Sequence, residues 1–367
     1  MKKIDNSIYV TQPYLPPLEE YISYLTKIWD TKILTNNGPL VIELEGKLAK
    51  YLNVSNVILV TNGTIALQFI IRALGLSGEI ITTPFSFVAT TSSILWENCT
   101  PKFVDICKKD FNINSDKIEK YINSNTTAIL PTHVFGYPCD IDKIGRIGKK
   151  YNLKVVYDAA HSFGVSYNNK NLAQFGDASI LSFHATKLFH TVEGGAIITN
   201  DNDLAEKIKQ IRNFGYSESE TDKIVELGIN GKMSEYHAAM GLAILPHIDK
   251  IIERRRENYL SYLSLFKNSL PLRLPFLSNE LKYNYHYFPI VFDNEDQLIK
   301  VNELLQLNRI YARRYFYPSL NTISFTGYQS ADISVSISKR TLCLPLYYDL
   351  SVETIEKITT LINHVFD

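Results

Sequence analysis

The chain reads as an α/β protein, with a large domain built on a mostly parallel β-sheet and a smaller α+β domain toward the C-terminus. Three observations predict this. From Val57 to Thr199, short runs rich in Val and Ile alternate with helical stretches, the pattern of strands joined by helical crossovers. Those runs lack polar alternation, as strands covered on both faces do. After a long helical segment over residues 246–263 the composition changes, without an internal repeat or a low-complexity linker. The expected units are residues 1–249, a large domain with an N-terminal segment, and residues 250–367.

The elements follow in order. Val57-Ile58-Leu59-Val60 reads as a strand, with a helix over residues 64–74 after it. Glu79-Ile80-Ile81-Thr82 is the next strand, then a helix over 87–96, then the strands Lys102-Phe103-Val104-Asp105 and Ala128-Ile129-Leu130-Pro131. A helix over 143–151 leads to Lys154-Val155-Val156-Tyr157-Asp158, and two further strands span 178–182 and 196–199. In the second unit, Tyr287-Phe288-Pro289-Ile290-Val291-Phe292 is strand-like and 296–307 helical. The last helix, 352–366, sets Ile355, Ile358, Leu361, Ile362 and Val365 on one face behind Ser351 as N-cap. The run Glu253-Arg254-Arg255-Arg256-Glu257 reads as a solvated helix face.

At 367 residues the chain is long enough for a full core. Its formal net charge of zero argues against nucleic-acid binding, which needs a basic surface to neutralise phosphates. No apolar run reaches the length of a membrane span, and Met1-Lys2-Lys3-Ile4-Asp5-Asn6 lacks the apolar stretch of a signal peptide. Cys99, Cys107, Cys139 and Cys343 are scattered, as reduced cysteines of a cytoplasmic protein are.

Lys187 is the residue that points to chemistry. It closes Ser182-Phe183-His184-Ala185-Thr186-Lys187 and precedes Glu193-Gly194-Gly195, between two strand-like segments. Asp158 ends an apolar strand, where an ionised carboxylate is costly unless it meets a cation; taken alone it also fits a helix N-cap. Asn62-Gly63-Thr64 joins a strand to a helix start, so a phosphate can dock on the amides of Gly63 and Thr64. Both Asp158 and this turn fall where ligands of such sheets collect, beyond the strands' C-terminal ends. A lysine amine, a carboxylate and a glycine turn together suggest pyridoxal phosphate, held by Lys187 as a Schiff base with its ring nitrogen paired to Asp158. Ser182 can add a hydroxyl to the phosphate or bond its own backbone. His161 can touch the ring face or its phenolic oxygen, and Phe87 can stack on the ring or fill the core. His133 and His237 read as structural, and no histidine pair has metal-site spacing. Arg313, Arg314, Tyr315, Phe316 and Tyr317 suit either interdomain packing or the grip of a diphosphate and a base.

Taken in order, Asn62-Gly63-Thr64, Pro84-Phe85-Ser86-Phe87, Asp158-Ala159-Ala160-His161, Ser182 to Lys187, Glu193-Gly194-Gly195 and Asn230-Gly231-Lys232-Met233 resemble the DegT/StrS-type sugar aminotransferases. These are pyridoxal-phosphate enzymes of the aspartate aminotransferase fold, type I. The resemblance runs from Asn37-Gly38-Pro39 to Cys343-Leu344-Pro345-Leu346. It implies Lys187 as the covalent lysine and Asp158 as the ring-nitrogen partner. It implies Gly63, Thr64 and Ser182 at the phosphate, Phe87 over the ring and His161 near its oxygen. It further implies a homodimer in which Asn230 reaches the phosphate of the neighbouring subunit. Two departures stand out: the usual Thr-Gly-Glu-Gly-Gly reads Thr191-Val192-Glu193-Gly194-Gly195, and Lys232 replaces a common arginine.

A lysine at position 187, where a dehydratase branch carries histidine, implies transamination. Within the resemblance, His184-Ala185-Thr186-Lys187 is similar to the 4-aminotransferases, whereas 3-aminotransferases tend toward Tyr-Pro-x-Lys. The implied reaction moves an amino group from L-glutamate to C4 of a nucleotide-linked keto sugar, a dTDP-4-keto-6-deoxyhexose, feeding a surface polysaccharide such as an O-antigen. Substrate contacts are expected at His184, Arg313, Arg314 and Tyr317. The competing readings are a 3-aminotransferase, a sugar dehydratase and a non-catalytic binder of the cofactor or of a nucleotide sugar. The intact Asp158–Lys187 pair speaks against the last.

Overall fold

The structure, a computed structural model, describes residues 7–217, 223–266 and 281–366; the N-terminal residues 1–6 read above lie outside it. Seven strands form the central sheet: β1 (Asn56–Val60), β2 (Glu79–Thr82), β3 (Thr100–Phe103), β4 (Thr126–Leu130), β5 (Lys154–Asp158), β6 (Ala178–Ser182) and β7 (Gly195–Thr199). Their spatial order is β1-β7-β6-β5-β4-β2-β3. Every neighbouring pair is parallel except those made by β7, which runs against both β1 and β6.

The Val and Ile runs are explained by burial on both sides. Ile58, Val60, Ile180 and Ile197 pack with Ala66, Leu67 and Ile70 of the helix Gly63–Ala73 and with Ile208 of Asn202–Arg212. Their neighbours Val57, Leu59, Leu181 and Ile198 turn the other way, onto Leu44 and Leu48 of Pro39–Leu52 and Ala238 and Leu242 of Glu235–Ile244. The expected strand at 102–105 begins earlier, at Thr100, and stops before Asp105. Asp105 instead accepts the amides of Ile333 and Ser334 at 3.0 and 2.9 Å, holding the start of the helix Asp332–Arg340.

The C-terminal part pairs Phe288–Val291 antiparallel with Thr341–Leu344 and surrounds them with the helices Ile248–Leu265, Glu295–Leu307 and Val352–Phe366. Ile355, Ile358 and Ile362 of the last helix are buried, and Ser351 accepts the amide of Thr354 at 3.2 Å. Our proposed division at residue 249 falls just inside the helix Ile248–Leu265. The two parts share one core, in which Ile81, Ile129 and Tyr157 of the sheet meet Tyr259, Phe288 and Ile355. The chain also crosses back: Ile8–Tyr9 pairs in parallel with Ile310–Tyr311.

One reading of the charged helix needs correction. Arg254 and Arg256 pair with Glu257 and Glu253 at the surface, but Arg255 is buried and donates to the carbonyls of Tyr285 and His286 at 3.0 and 2.6 Å. Those two carbonyls hold it inward, and burial lowers its affinity for the proton to a pKa of about 10. Among the described residues, no helix is long and apolar enough to cross a membrane.

Candidate functional site

A cavity of about 380 Å³ opens at the C-terminal ends of the parallel strands. Gly63, Thr64, Phe87, Asp158, His161, Ser182, His184, Lys187 and Arg313 all line it. Each arrives for a local reason. Asn62 caps the helix Gly63–Ala73 by accepting the amide of Ile65 at 2.9 Å; the first-turn amides of Gly63 and Thr64 have no intrahelical acceptor, and both residues line the cavity. A Cβ on Gly63 would lie 3.2 Å from the Cβ of Ser182, so the two are side by side.

The loop leaving β6 is fastened at both ends. Phe183 donates to the carbonyl of Gly194 at 2.8 Å and Thr191 to that of Phe183 at 2.9 Å, while Lys187 donates its amide to His184 at 2.8 Å. Lys187 therefore rides on a tight turn just beyond the C-terminal end of β6, an interior strand of the sheet. The Glu193-Gly194-Gly195 run has a packing role. A Cβ on Gly195 would sit 2.6 Å from the carbonyl carbon of Asn62 and 2.7 Å from the nitrogen of Gly63, so only glycine lets β7 pass the phosphate-type turn.

Asp158 is buried; its Oδ2 accepts from Thr90 Oγ1 at 2.6 Å and its Oδ1 from the amide of Ala160 at 3.1 Å. Burial raises its pKa above the ordinary carboxylate value, against the pull of those donors and of Lys187. Burial pushes the Lys187 amine down to about 8, opposed by Asp158 and assisted by the positive charge of Arg313. His161 is stacked flat against Phe316 with ring centres 5.6 Å apart, and its Nδ1 has no partner. Burial, with Lys187 adding to it, holds this ring neutral.

These residues fit pyridoxal phosphate. A buried carboxylate awaits a cation, an imidazole nitrogen is unpartnered, helix amides stand beside a hydroxyl at Ser182, and an amine is poised to be neutral. Phe87 caps the helix Val88–Trp96 and keeps its ring 49% exposed at the mouth, so it is a lining residue and not a core one.

Three expected residues lie elsewhere. Arg314 donates to Glu295 at 2.6 Å and stands 3.7 Å over the ring of Tyr317, and neither lines the cavity. Asn230 is exposed, paired through its backbone with Asn213, and also outside this chain's cavity. Lys232 turns to Asn213 at 3.0 Å. His133 accepts the amide of Cys139 and stacks on Tyr157, and His237 bonds Ser234. Conversely, Ser86, Thr132 and Tyr287 line the cavity without having been given a role there, and Tyr315 and Phe316 of the 313–317 segment join them. Hydroxyls and aromatics in strands and strand ends carry no spacing that separates them from core residues.

Val192 carries strain. It holds φ at 69°, a left-handed conformation that a β-branched side chain adopts only at a cost, at the position where the usual motif has glycine. Val192→Gly should therefore raise the stability of the cofactor-free protein by about 1 kcal/mol, the relief of strain exceeding glycine's entropic penalty. Urea unfolding measures this, and a lower midpoint in the variant would remove strain from the account.

The model of the DegT/DnrJ/EryC1/StrS aminotransferase family matches residues 18–363, and the chain belongs to that family. It is 43% identical over 371 residues to the dTDP-4-amino-4,6-dideoxy-D-glucose transaminase of Shigella dysenteriae, spanning 99% of this chain and 100% of that protein. Among solved structures, that of DesI in the presence of its TDP-sugar product superposes with a TM-score of 0.93 at 28% identity, covering 98% of this chain and 93% of that one. NtdA of Bacillus subtilis with bound cofactor PMP superposes with a TM-score of 0.88 at 28% identity, covering 95% and 81%.

Proposed function

We propose that the protein is a pyridoxal-phosphate-dependent aminotransferase that places an amino group from L-glutamate on C4 of a dTDP-4-keto-6-deoxyhexose. The observation that carries this is the meeting of Asp158 and Lys187, from the ends of neighbouring β5 and β6, in one cavity with the Gly63 helix start. When bound, the cofactor supplies a carbonyl that takes up the amine and a ring that accepts the electron pair of a breaking C–H bond. Gly63 and Thr64 amides and the Ser182 hydroxyl hold its phosphate. Asp158 keeps its ring nitrogen protonated, and Phe87 and His161 confine the ring. The neutral Nζ of Lys187 takes the proton from the donor carbon and later returns one to the sugar carbon.

The position of amination rests on the His184-Ala185-Thr186-Lys187 motif and on the name of the Shigella relative. His184 stands at the mouth, bonded to Thr186 and 3.6 Å from Glu193, where an acceptor must pass. Arg313 lines the same cavity, 4.6 Å over Tyr315, and suits a diphosphate; Arg314, paired with Glu295, and Tyr317 lie outside it. We assign the product to a surface polysaccharide such as an O-antigen, and the reaction to the cytoplasm, which suits free cysteines at 99, 107, 139 and 343. We further assign a homodimer in which Asn230 serves the partner's cofactor. The exposed Leu227 and Ile229 beside it support an interface there.

The test is incubation with L-glutamate and dTDP-4-keto-6-deoxyglucose, followed by proton NMR of the isolated product. Couplings that place the amine on C4 are the expected result. An amine on C3, or turnover of 3-keto sugars alone, would overturn the regiochemistry; sugar dehydration without 2-oxoglutarate would overturn transamination.

A further inference from the structure

Beside Asp158 runs a row of buried hydroxyls, two of which, on Ser86 and Thr132, belong to residues that line the cavity. Thr132 Oγ1 donates to Ser86 Oγ at 3.0 Å, Ser86 Oγ lies 2.8 Å from Thr90 Oγ1, and Thr90 Oγ1 donates to Asp158 Oδ2 at 2.6 Å. Thr90 is 0% exposed, and Ser86 and Thr132 are each 2% exposed. They come from three separate places: the end of β4, the loop before the helix Val88–Trp96, and that helix itself.

The direction of the row follows from counting protons. An ionised carboxylate only accepts, and each hydroxyl has one proton to give. Thr90 uses its proton on Asp158, so Ser86 must donate to Thr90, and Thr132 to Ser86. All three O–H dipoles then point toward the carboxylate, and aligned hydrogen bonds polarise one another. The far end is fixed to the same place as the near end. The amide of Asp158 donates to the carbonyl of Pro131 at 2.9 Å, and the amide of His133 to that of Asp158 at 3.0 Å, so Thr132 is bracketed by the backbone of Asp158 itself.

We propose that Thr132, Ser86 and Thr90 form a one-way hydroxyl relay, a set of positioning residues that keeps the Asp158 carboxylate ionised and aimed at the cavity. The function it serves rests on the reading of Asp158 as partner of the cofactor's ring nitrogen. A buried carboxylate must stay charged in the interval before the cofactor arrives. Thr90 and the Ala160 amide are its direct donors, and the relay strengthens the former without placing another charge in the cavity. The titratable groups sharing that cavity are Lys187, His184 and Glu193 around β6 and β7, His161 after β5, and Tyr287, Arg313 and Tyr315 from the C-terminal part. Among these, Lys187 is the one that favours the ionised form of Asp158.

The experiment is carbon-13 NMR of aspartate-labelled, cofactor-free full-length protein, with the Asp158 carboxyl signal identified by its loss in Asp158→Asn. Thr90→Val, which keeps the volume and removes the donor, should raise the titration midpoint of Asp158 by about one pH unit. Ser86→Ala and Thr132→Val should raise it by successively smaller amounts, and Thr90→Ser should restore it. An unshifted midpoint in Thr90→Val overturns the relay, and so does a shift confined to Thr90→Val with none in Ser86→Ala. The cofactor's visible absorption in the holoenzyme separates the two ideas. If Asp158→Asn leaves that band and its pH dependence untouched while the graded shifts persist, the ring-nitrogen reading fails and the relay stands.

Discussion

Lys187→Ala should lose the covalent hold on the cofactor and at least about 10⁴-fold in turnover, because one amine both carries the cofactor and moves the proton. The proposed phosphate cradle of Gly63, Thr64 and Ser182 is untouched, so the variant should still bind the cofactor reversibly. Borohydride reduction of the wild type followed by peptide mapping should place the label on Lys187, and label on any other lysine would sink the assignment. The pH dependence has a definite sign. The folded amine has a pKa of about 8, below the ordinary 10.5, so it is charged below 8 and neutral above. Only the neutral form is nucleophilic. Covalent capture of the cofactor by the apo-protein should therefore accelerate as pH rises and level off above about 8. The same shift makes the buried ammonium a burden on the fold: its cost is full below 8 and is relieved as pH rises from 8 toward 10.5. Lys187→Ala apo-protein should thus be the more stable of the two at neutral pH, with the gap narrowing in that window.

The sheet was legible because its physics is local. β2 and β6 occur at the boundaries their sequences suggest, since short unbroken apolar runs mark strands covered on both faces. The helix Leu18–Thr31 was not legible, and the reason is visible. Its inward stripe is thin: Ile28 is its one buried residue and Tyr21, Tyr24 and Leu25 are only partly buried against the core, while the exposed Leu18, Ile22 and Trp29 blur the pattern. The same limit governs the site. Asp158 and Ser182 end strands, and Gly63 and Lys187 lie in the segments that follow strand ends, so the sheet's geometry brings all four to one side. Arg314 does not join them because Glu295, at the start of the helix Glu295–Leu307, claims its guanidinium. Arg255 leaves the solvated face of its helix for two carbonyls that only the tertiary fold supplies. Thr90 looks like any helix threonine until Asp158 is placed against it.

Asp158→Asn should keep the covalent link, since Lys187 and the phosphate cradle are unchanged, yet turn over roughly 10³-fold more slowly. The substitution is nearly isosteric: the amide oxygen can still accept from Ala160 N–H, and the amide NH2, now in place of the second oxygen, can donate to the Thr90 hydroxyl oxygen. What disappears is the negative charge that keeps the ring nitrogen protonated. Without it the electron pair freed at proton removal is poorly stabilised, a loss of the size seen when one preorganised electrostatic partner is deleted from an active site. Stopped-flow measurement of the glutamate half-reaction isolates this step from product release; unaltered rates would refute the ring-nitrogen role. Stability should move the opposite way. The folded pKa of Asp158 lies above its ordinary 3.8, so the ionised form is a cost to the cofactor-free fold at neutral pH. That cost falls as pH drops through the folded pKa and is gone below 3.8, where both states hold the proton. Asp158→Asn apo-protein should therefore resist urea at least as well as wild type at pH 7, and its advantage should shrink on acidification. A variant that is slower and no less stable would mark Asp158 as a charge kept for chemistry, whereas a marked loss of stability at neutral pH would make it a structural cap.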